Sequence, residues 1–451
     1  MIKYTRPISL LYSAALCALL VSPAPAAELT EPVDRGTPSP AQTSAVYGQL
    51  TNITQRHASF TAPYSGTNSM AASGRTEETT DITLFAGLRL GAQTELWINP
   101  EIDQGFGISN TLGAAGYPSG GAYKLGANAP YVRLPRLFVR HVIGLSENSE
   151  AVVAAANQLA GSRSVDNLTL TIGKFAVVDI FDANSYAHDP RTDFLNWSII
   201  EAGAFDYAAD VWGYTNGAVA EWNRGERTLR GGVFQLSPEP NSKITSVKTS
   251  QYSLVVEAEQ RLDWNSHPGK VKLLAFMNRA NMSSYQAALA AAALNGGPPD
   301  VSTTRRFGSN TGWSLNAEQE LAADVGVFAR FSMNRGVQEA YEFTDINRSL
   351  SFGAAIKGDR WGRHDDTIGV ATAINALSAD AKAYFAAGGL GVLIGDGRLN
   401  YGNETVLEAY YSLKLHRQLA LSFDIQRISN PAYNRDRGPV STYALRLHGE
   451  F

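Results

Sequence analysis

Cysteine is all but missing from this chain, with Cys17 alone among 451 residues, and it lies in an N-terminal apolar run. Beyond that run a disulfide scaffold, thiol catalysis and a Cys-ligated metal site are all excluded. Long apolar stretches are missing too. Nothing after the N-terminus approaches the roughly 18 consecutive apolar residues that mark a membrane-crossing helix. Charge of one sign is also lacking, since 38 basic residues stand against 42 acidic ones for a formal net charge of −4. A nucleic-acid partner is therefore not expected.

What is present begins with Lys3 and Arg6 ahead of the run Ile8 to Val21 and the small-residue stretch Ala24 to Ala27. Positive, apolar and small in that order form a secretory signal, expected to be cleaved after residue 26 or 27. The run is too short for the roughly 20 residues of a spanning helix. Leu16 stands before Cys17 where a lipid-attachment box needs a small residue, so Cys17 reads as signal filler. Loss of Lys3 and Arg6 with the signal takes the formal net charge from −4 to −6. Residues 27 to 50 are Pro-, Ser- and Thr-rich at their start and read as a flexible periplasmic lead, which leaves 51 to 451 as one β domain.

The mean hydropathy of −0.16 resembles that of a soluble protein. A transmembrane β-barrel gives the same average, because its strands show lipid only at every second residue. Tyr443, Leu445, Leu447 and Phe451 share one face of the last segment, opposite Thr442, Arg446, His448 and Glu450. Leu419, Leu421, Phe423 and Ile425 repeat the pattern against Ser422, Asp424 and Gln426. So do Trp313, Leu315, Ala317 and Leu321 against Ser314, Asn316, Glu318 and Glu320, and Ile82 to Leu90 near the other end. A sandwich with one buried face would alternate in the same way, so period alone leaves soluble β proteins open.

Length and loop asymmetry favour the barrel. The segments run about 9 to 12 residues, which suits a tilted membrane strand better than a soluble sheet. Trp212 and Trp222 read as the two aromatic girdles of one strand, roughly 25 Å apart along the membrane normal. Short turns alternate with long connections, and the intervals predict an antiparallel up-and-down barrel of about 16 strands with both termini periplasmic. One short-side connection is long. Leu145 to Asp166 is expected to hold a helix over Glu147 to Ala160.

The stretch from Gly173-Lys174-Phe175 through Asp179-Ile180-Phe181-Asp182-Ala183-Asn184 to His188-Asp189-Pro190-Arg191-Thr192-Asp193-Phe194-Leu195-Asn196-Trp197 resembles the signature of the OprB-type carbohydrate-selective porins. Glu95 to Glu101, Ala387 to Gly397 and Asn430 to Pro439 resemble further family segments in the right order. The resemblance implies an outer-membrane barrel, its long extracellular loops partly folded into the lumen, that passes glucose and related small sugars passively. Outer-membrane lipid would surround it, and the barrel-assembly machinery would read the strand ending in Phe451. Monomer and homotrimer both stay open.

Strand parity supplies pore-lining candidates. Glu95, Trp97, Asn99 and Glu101 turn inward if Leu96 and Ile98 face lipid, and Arg136, Phe138 and Arg140 do so if Leu137 and Val139 face lipid. A sugar leaving water needs replacement hydrogen bonds and aromatic surfaces for its ring faces, which acidic and basic rows with Trp97 between them would offer. Their alternative role is mutual pairing that stiffens the wall. In the signature stretch, Asp182, Asp189 and Arg191 suit loop folding through capped turns and a carboxylate–arginine pair, and Trp197 suits either sugar stacking or loop anchoring. No nucleophile with a base and an oxyanion site, and no metal-binding spacing, accompanies them, so no enzyme, cofactor or metal is expected. A general or anion-selective diffusion pore is the alternative function; a barrel-embedded enzyme and a soluble sugar-binding β protein stand behind it.

Overall fold

The computed structural model describes residues 41–122 and 126–451, so the expected signal lies outside it. In chain order the strands are β1 Ser44–His57, β2 Arg75–Gly91, β3 Thr94–Gly105, β4 Ala127–Gly144, β5 Ser149–Val152, β6 Gly161–Ser164, β7 Asn167–Phe175, β8 Thr215–Arg224 and β9 Arg227–Gln235. They continue as β10 Tyr252–Trp264, β11 His267–Met282, β12 Arg306–Ala322, β13 Val325–Asn334, β14 Arg348–Gly358, β15 Arg363–Ala376, β16 Glu404–His416, β17 Leu419–Ser429 and β18 Val440–Glu450. All but β5 and β6 pair antiparallel into one closed barrel of 16 strands, in which β1 meets β18 with Gln49 opposite Glu450.

The period-two pattern sets this wall, with its polarity inverted relative to a soluble core. Leu84, Leu88, Ile172, Leu273, Leu407 and Phe423 stand exposed on the outside, whereas Glu404, Glu408, Gln426, Arg446 and His448 are buried inside. Closure leaves no strand edge unpaired in lipid, where an unsatisfied backbone group is costly. Among the described residues no helix is long and apolar enough to cross a membrane.

Three expectations need correction here. The wall begins at Ser44, inside the expected lead, because Ser44 to Leu50 already pairs with Leu88 to Ile82. Residues 147–160 are not helical. β5 and β6 form a hairpin in which Arg163 Nε donates to Glu150 Oε1 at 2.8 Å, and Ala155 bridges Gln158 across Asn157 at φ 60°. The alanines favour helix, but β-branched Val152 and Val153 and the left-handed Asn157 suit a hairpin whose tip finds partners inside the barrel. Trp222 faces outward as a girdle residue should, but Trp212 precedes β8 and packs inward against Tyr131 with ring centroids 6.5 Å apart.

The long connections cluster at the end opposite the short turns, and two stretches of them, 106–122 and 176–214, fold into the lumen. Phe181, Phe194, Leu195, Ile199, Phe205 and Ala208 of the second are almost completely buried. Wall side chains hold this loop by its backbone. Arg330 Nη1 donates to Ile199 O at 2.9 Å and Nη2 to Ala187 O at 2.7 Å and Asp182 O at 3.2 Å. Arg446 reaches the carbonyls of Pro190, Thr192 and Asp193 at 2.7, 3.0 and 2.7 Å. Carboxylates take the amides: Glu408 accepts from Leu195 and Asn196, and Glu404 from Ala115, Gly116 and Ala432. Backbone groups inside a barrel need such partners, and charged ones supply the stronger bonds.

Candidate functional site

The inward loops narrow the lumen to a neck. Above it, toward the long-loop end, lies a cavity of about 160 Å³ lined by Tyr117, Arg136, Arg191, Trp197, Trp212 and Tyr214. Below it lies a chamber of about 580 Å³ lined by Glu95, Phe138, Arg140, the hairpin tip and Arg230. Asp179 and His188 border both, which places them between the two spaces.

Each neck group has a cause in the local fold. Arg136 Nε and Nη2 bind the Asp179 carboxylate at 2.8 and 2.6 Å in a two-pronged pair. Asp179 is placed for this by the short helical turn Val177–Asp179, where it also accepts from Ala176 N at 3.0 Å. Tyr214 lies under both Arg133 and Arg136, 5.2 and 5.0 Å from ring centroid to guanidinium, and Arg133 also sits 6.0 Å from Trp212. Tyr117 stacks on Trp197 with centroids 5.2 Å apart and planes 13° from parallel. His188, in the loop between spanning strands, is pushed below its usual pKa by burial and then by the Arg330 charge, so it is neutral near pH 7.

Of the residues singled out from sequence, Arg136, Asp189, Arg191 and Trp197 line the upper cavity and Glu95, Phe138 and Arg140 the lower chamber. Three sit elsewhere. Trp97 is fully buried, its ring covering Gly87 and its Nε1 donating to Glu95 Oε2 at 3.0 Å, so it shows no face to a solute. Glu101 is buried and pairs with Arg133, not with Arg136, and Arg191 approaches it at 3.7 Å. Asp182 is enclosed by Ala202 N at 2.6 Å, Asn316 Nδ2 at 2.9 Å and Arg330, which makes it a loop anchor.

Strand parity misplaces Arg133, which by counting back from Arg136 should face lipid. Between β3 and β4 the register slips, with Asn99 opposite Arg136 but Glu101 opposite Arg133. Pro100 and Pro135 sit at the slip, where neither can donate to the ladder, and the bulge turns Arg133 inward. Those two prolines were the available signal. Trp212 and Tyr214 gave none beyond being aromatics beside a strand.

A closed transmembrane barrel with loops folded inward around a charged, aromatic neck defines a porin of the outer membrane. The chain belongs to the OprB family of carbohydrate-selective porins, whose model matches residues 67–451. Porin AaxA of Chlamydia caviae is 22% identical over 287 residues, 62% of this chain and 53% of that protein, and Porin AaxA of Chlamydia muridarum is 21% identical over 300 residues, 65% and 54%. The chain thus spans about half the length of these curated relatives. The high-pH structure of Pseudomonas putida OprB superimposes with a TM-score of 0.69 at 16% identity, covering 91% of this chain and 94% of that one. Its low-pH structure does so with a TM-score of 0.51 at 12% identity, covering 91% and 93%. These likenesses concern the fold.

Proposed function

We propose that the barrel conducts glucose and related small sugars passively into the periplasm, with the neck as its filter and both termini on the periplasmic side after cleavage at residue 26 or 27. One observation carries this reading: between the two spaces the Arg136–Asp179 pair and His188 adjoin the aromatic group Trp197, Trp212 and Tyr214. Charges there exchange hydrogen bonds with hydroxyls, while indole and phenol faces accept the weakly apolar ring faces. The buried Trp197 Nε1 has no partner among the described residues, which leaves it a donor for a solute hydroxyl. Asp189 and Arg191, 3.6 Å apart, place further polar atoms on the same wall.

The test is single-channel conductance of the refolded protein in a planar bilayer, titrated with glucose, maltose and a non-sugar solute of similar size. Saturable block by the sugars alone supports the reading. Conductance without block reduces it to general diffusion, and no conductance overturns it. Trp212→Ala should weaken sugar block about tenfold, the equivalent of ~1.4 kcal/mol for a lost aromatic contact, with little change in open-channel current. An unchanged block constant would remove Trp212 from the filter.

A further inference from the structure

Below the neck the arginines are not equivalent. Arg89, Arg163, Arg230 and Arg261 each face a carboxylate, Glu95 at 3.4 Å, Glu150 at 2.8 Å, Glu221 at 2.9 Å and Glu226 at 3.6 Å respectively. Arg140 does not. Its nearest carboxylate, Glu95, is 4.0 Å away and is already engaged by Arg89 and by the Trp97 indole. Yet Arg140 is held still. Nη1 donates to Asn157 O at 2.7 Å, and the guanidinium lies 5.3 Å from the Phe138 ring centroid.

The hairpin supplies the acceptor of that bond. Its tip enters the lumen, where Asn157 Oδ1 also accepts from Asn99 Nδ2 at 2.9 Å and Leu159 is buried. Its base is tied by Ala160, whose amide and carbonyl bond Gln42, and whose carbonyl also takes Arg89 Nη2 at 3.0 Å. With Nη1 committed, the Nε–Nη2 edge of Arg140 has no partner among the described residues and borders the chamber. That edge is the one Arg136 uses to grip Asp179. Directly across the ladder stands Thr171, whose hydroxyl is buried, borders the same chamber and has no partner among the described residues.

We propose that Arg140 and Thr171, held in place by the hairpin, form a subsite for a carboxylate-bearing polyol, a sugar acid. The guanidinium edge takes the carboxylate as a two-pronged acceptor, and the Thr171 hydroxyl takes one of its oxygens or the adjacent hydroxyl. This rests on the sugar-pore reading and extends it from neutral sugars to their acids.

Block of the full-length channel by gluconate, glucose and acetate decides it. Wild-type protein should be blocked by gluconate at about one-tenth of the glucose concentration, while acetate, an anion without the polyol, should not compete. Arg140→Gln should erase that preference, Arg140→Lys should keep part of it, and Thr171→Val should lower it by about threefold, each in barrels that still show the heat-dependent gel shift. Equal block of wild type by gluconate and glucose overturns the subsite and leaves the sugar pore standing. An unaltered preference in Arg140→Gln overturns it as well. Block by gluconate without any by glucose upholds the subsite and overturns the neutral-sugar reading.

Discussion

Replacing Arg330 by Met is expected to open the channel, raising single-channel conductance by about twofold or more and abolishing sugar block, since the constriction sets both. The side chain is 2% exposed and contacts the carbonyls of Asp182, Ala187 and Ile199 together with the Asp182 carboxylate at 3.4 Å. Without the guanidinium the carbonyls of Ala187 and Ile199 lose their side-chain donor, while Asp182 keeps Ala202 N and Asn316 Nδ2 but loses its counter-charge, and removing one member of a buried ion pair costs ~3–5 kcal/mol. The wall does not bear that cost. Residue 330 keeps its ladder places opposite Asn316 and Ser351, which depend on backbone alone. The loop bears it, by leaving the lumen.

Two measurements separate this from misfolding. The heat-dependent gel shift of an intact barrel should persist, and trypsin should cut the released loop at Arg191, a side chain 13% exposed in the closed structure. Arg330→Lys, a point charge that cannot hold three divergent carbonyls, should give an intermediate current. Wild-type current and block in an assembled Arg330→Met barrel would show that the loop is held elsewhere.

That loop shows where the sequence could be read and where it could not. Trp313, Leu315 and Ala317 point outward and Ser314, Asn316 and Glu318 inward as period two requires, because one short-range rule governs a strand whatever lies beyond it. The closed 16-strand count follows from the same rule plus the alternation of turn lengths. The path of 176–214 follows no local rule. It depends on Arg330, Arg446 and Glu408, which lie more than a hundred residues further along the chain and look like ordinary lumen-facing polar positions. The hairpin at 149–164 failed for the same reason, since Asn157 is claimed by Arg140 and Asn99 and tertiary bonds outweigh the helix preference of its alanines. For the site itself, inward parity puts Arg136 and Arg140 on the lumen side, where they border the two cavities, a bulge hides Arg133, and depth of burial, which parity does not encode, encloses Trp97 and Glu101.

Gly48→Leu should cripple closure of the barrel, lowering the amount of heat-shifting protein in the outer membrane about tenfold, because overpacking at a fitted contact costs ~1–3 kcal/mol and here adds to two lost hydrogen bonds. The seam between β1 and β18 ends in a reciprocal pair, Gly48 N to Phe451 O at 2.7 Å and Phe451 N to Gly48 O at 2.9 Å. The Phe451 ring lies across Gly48, so that a Cβ there would come within 2.2 Å of it. Gly231→Ala, where a Cβ meets nothing within 4 Å, is the control and should assemble normally. Combining Gly48→Leu with Phe451→Ala separates two roles of the aromatic residue. If the seam clash is the whole defect, removing the ring restores assembly; if the double variant is as deficient as Phe451→Ala alone, the ring is needed for recognition before the barrel closes, and the glycine serves only to let it lie flat.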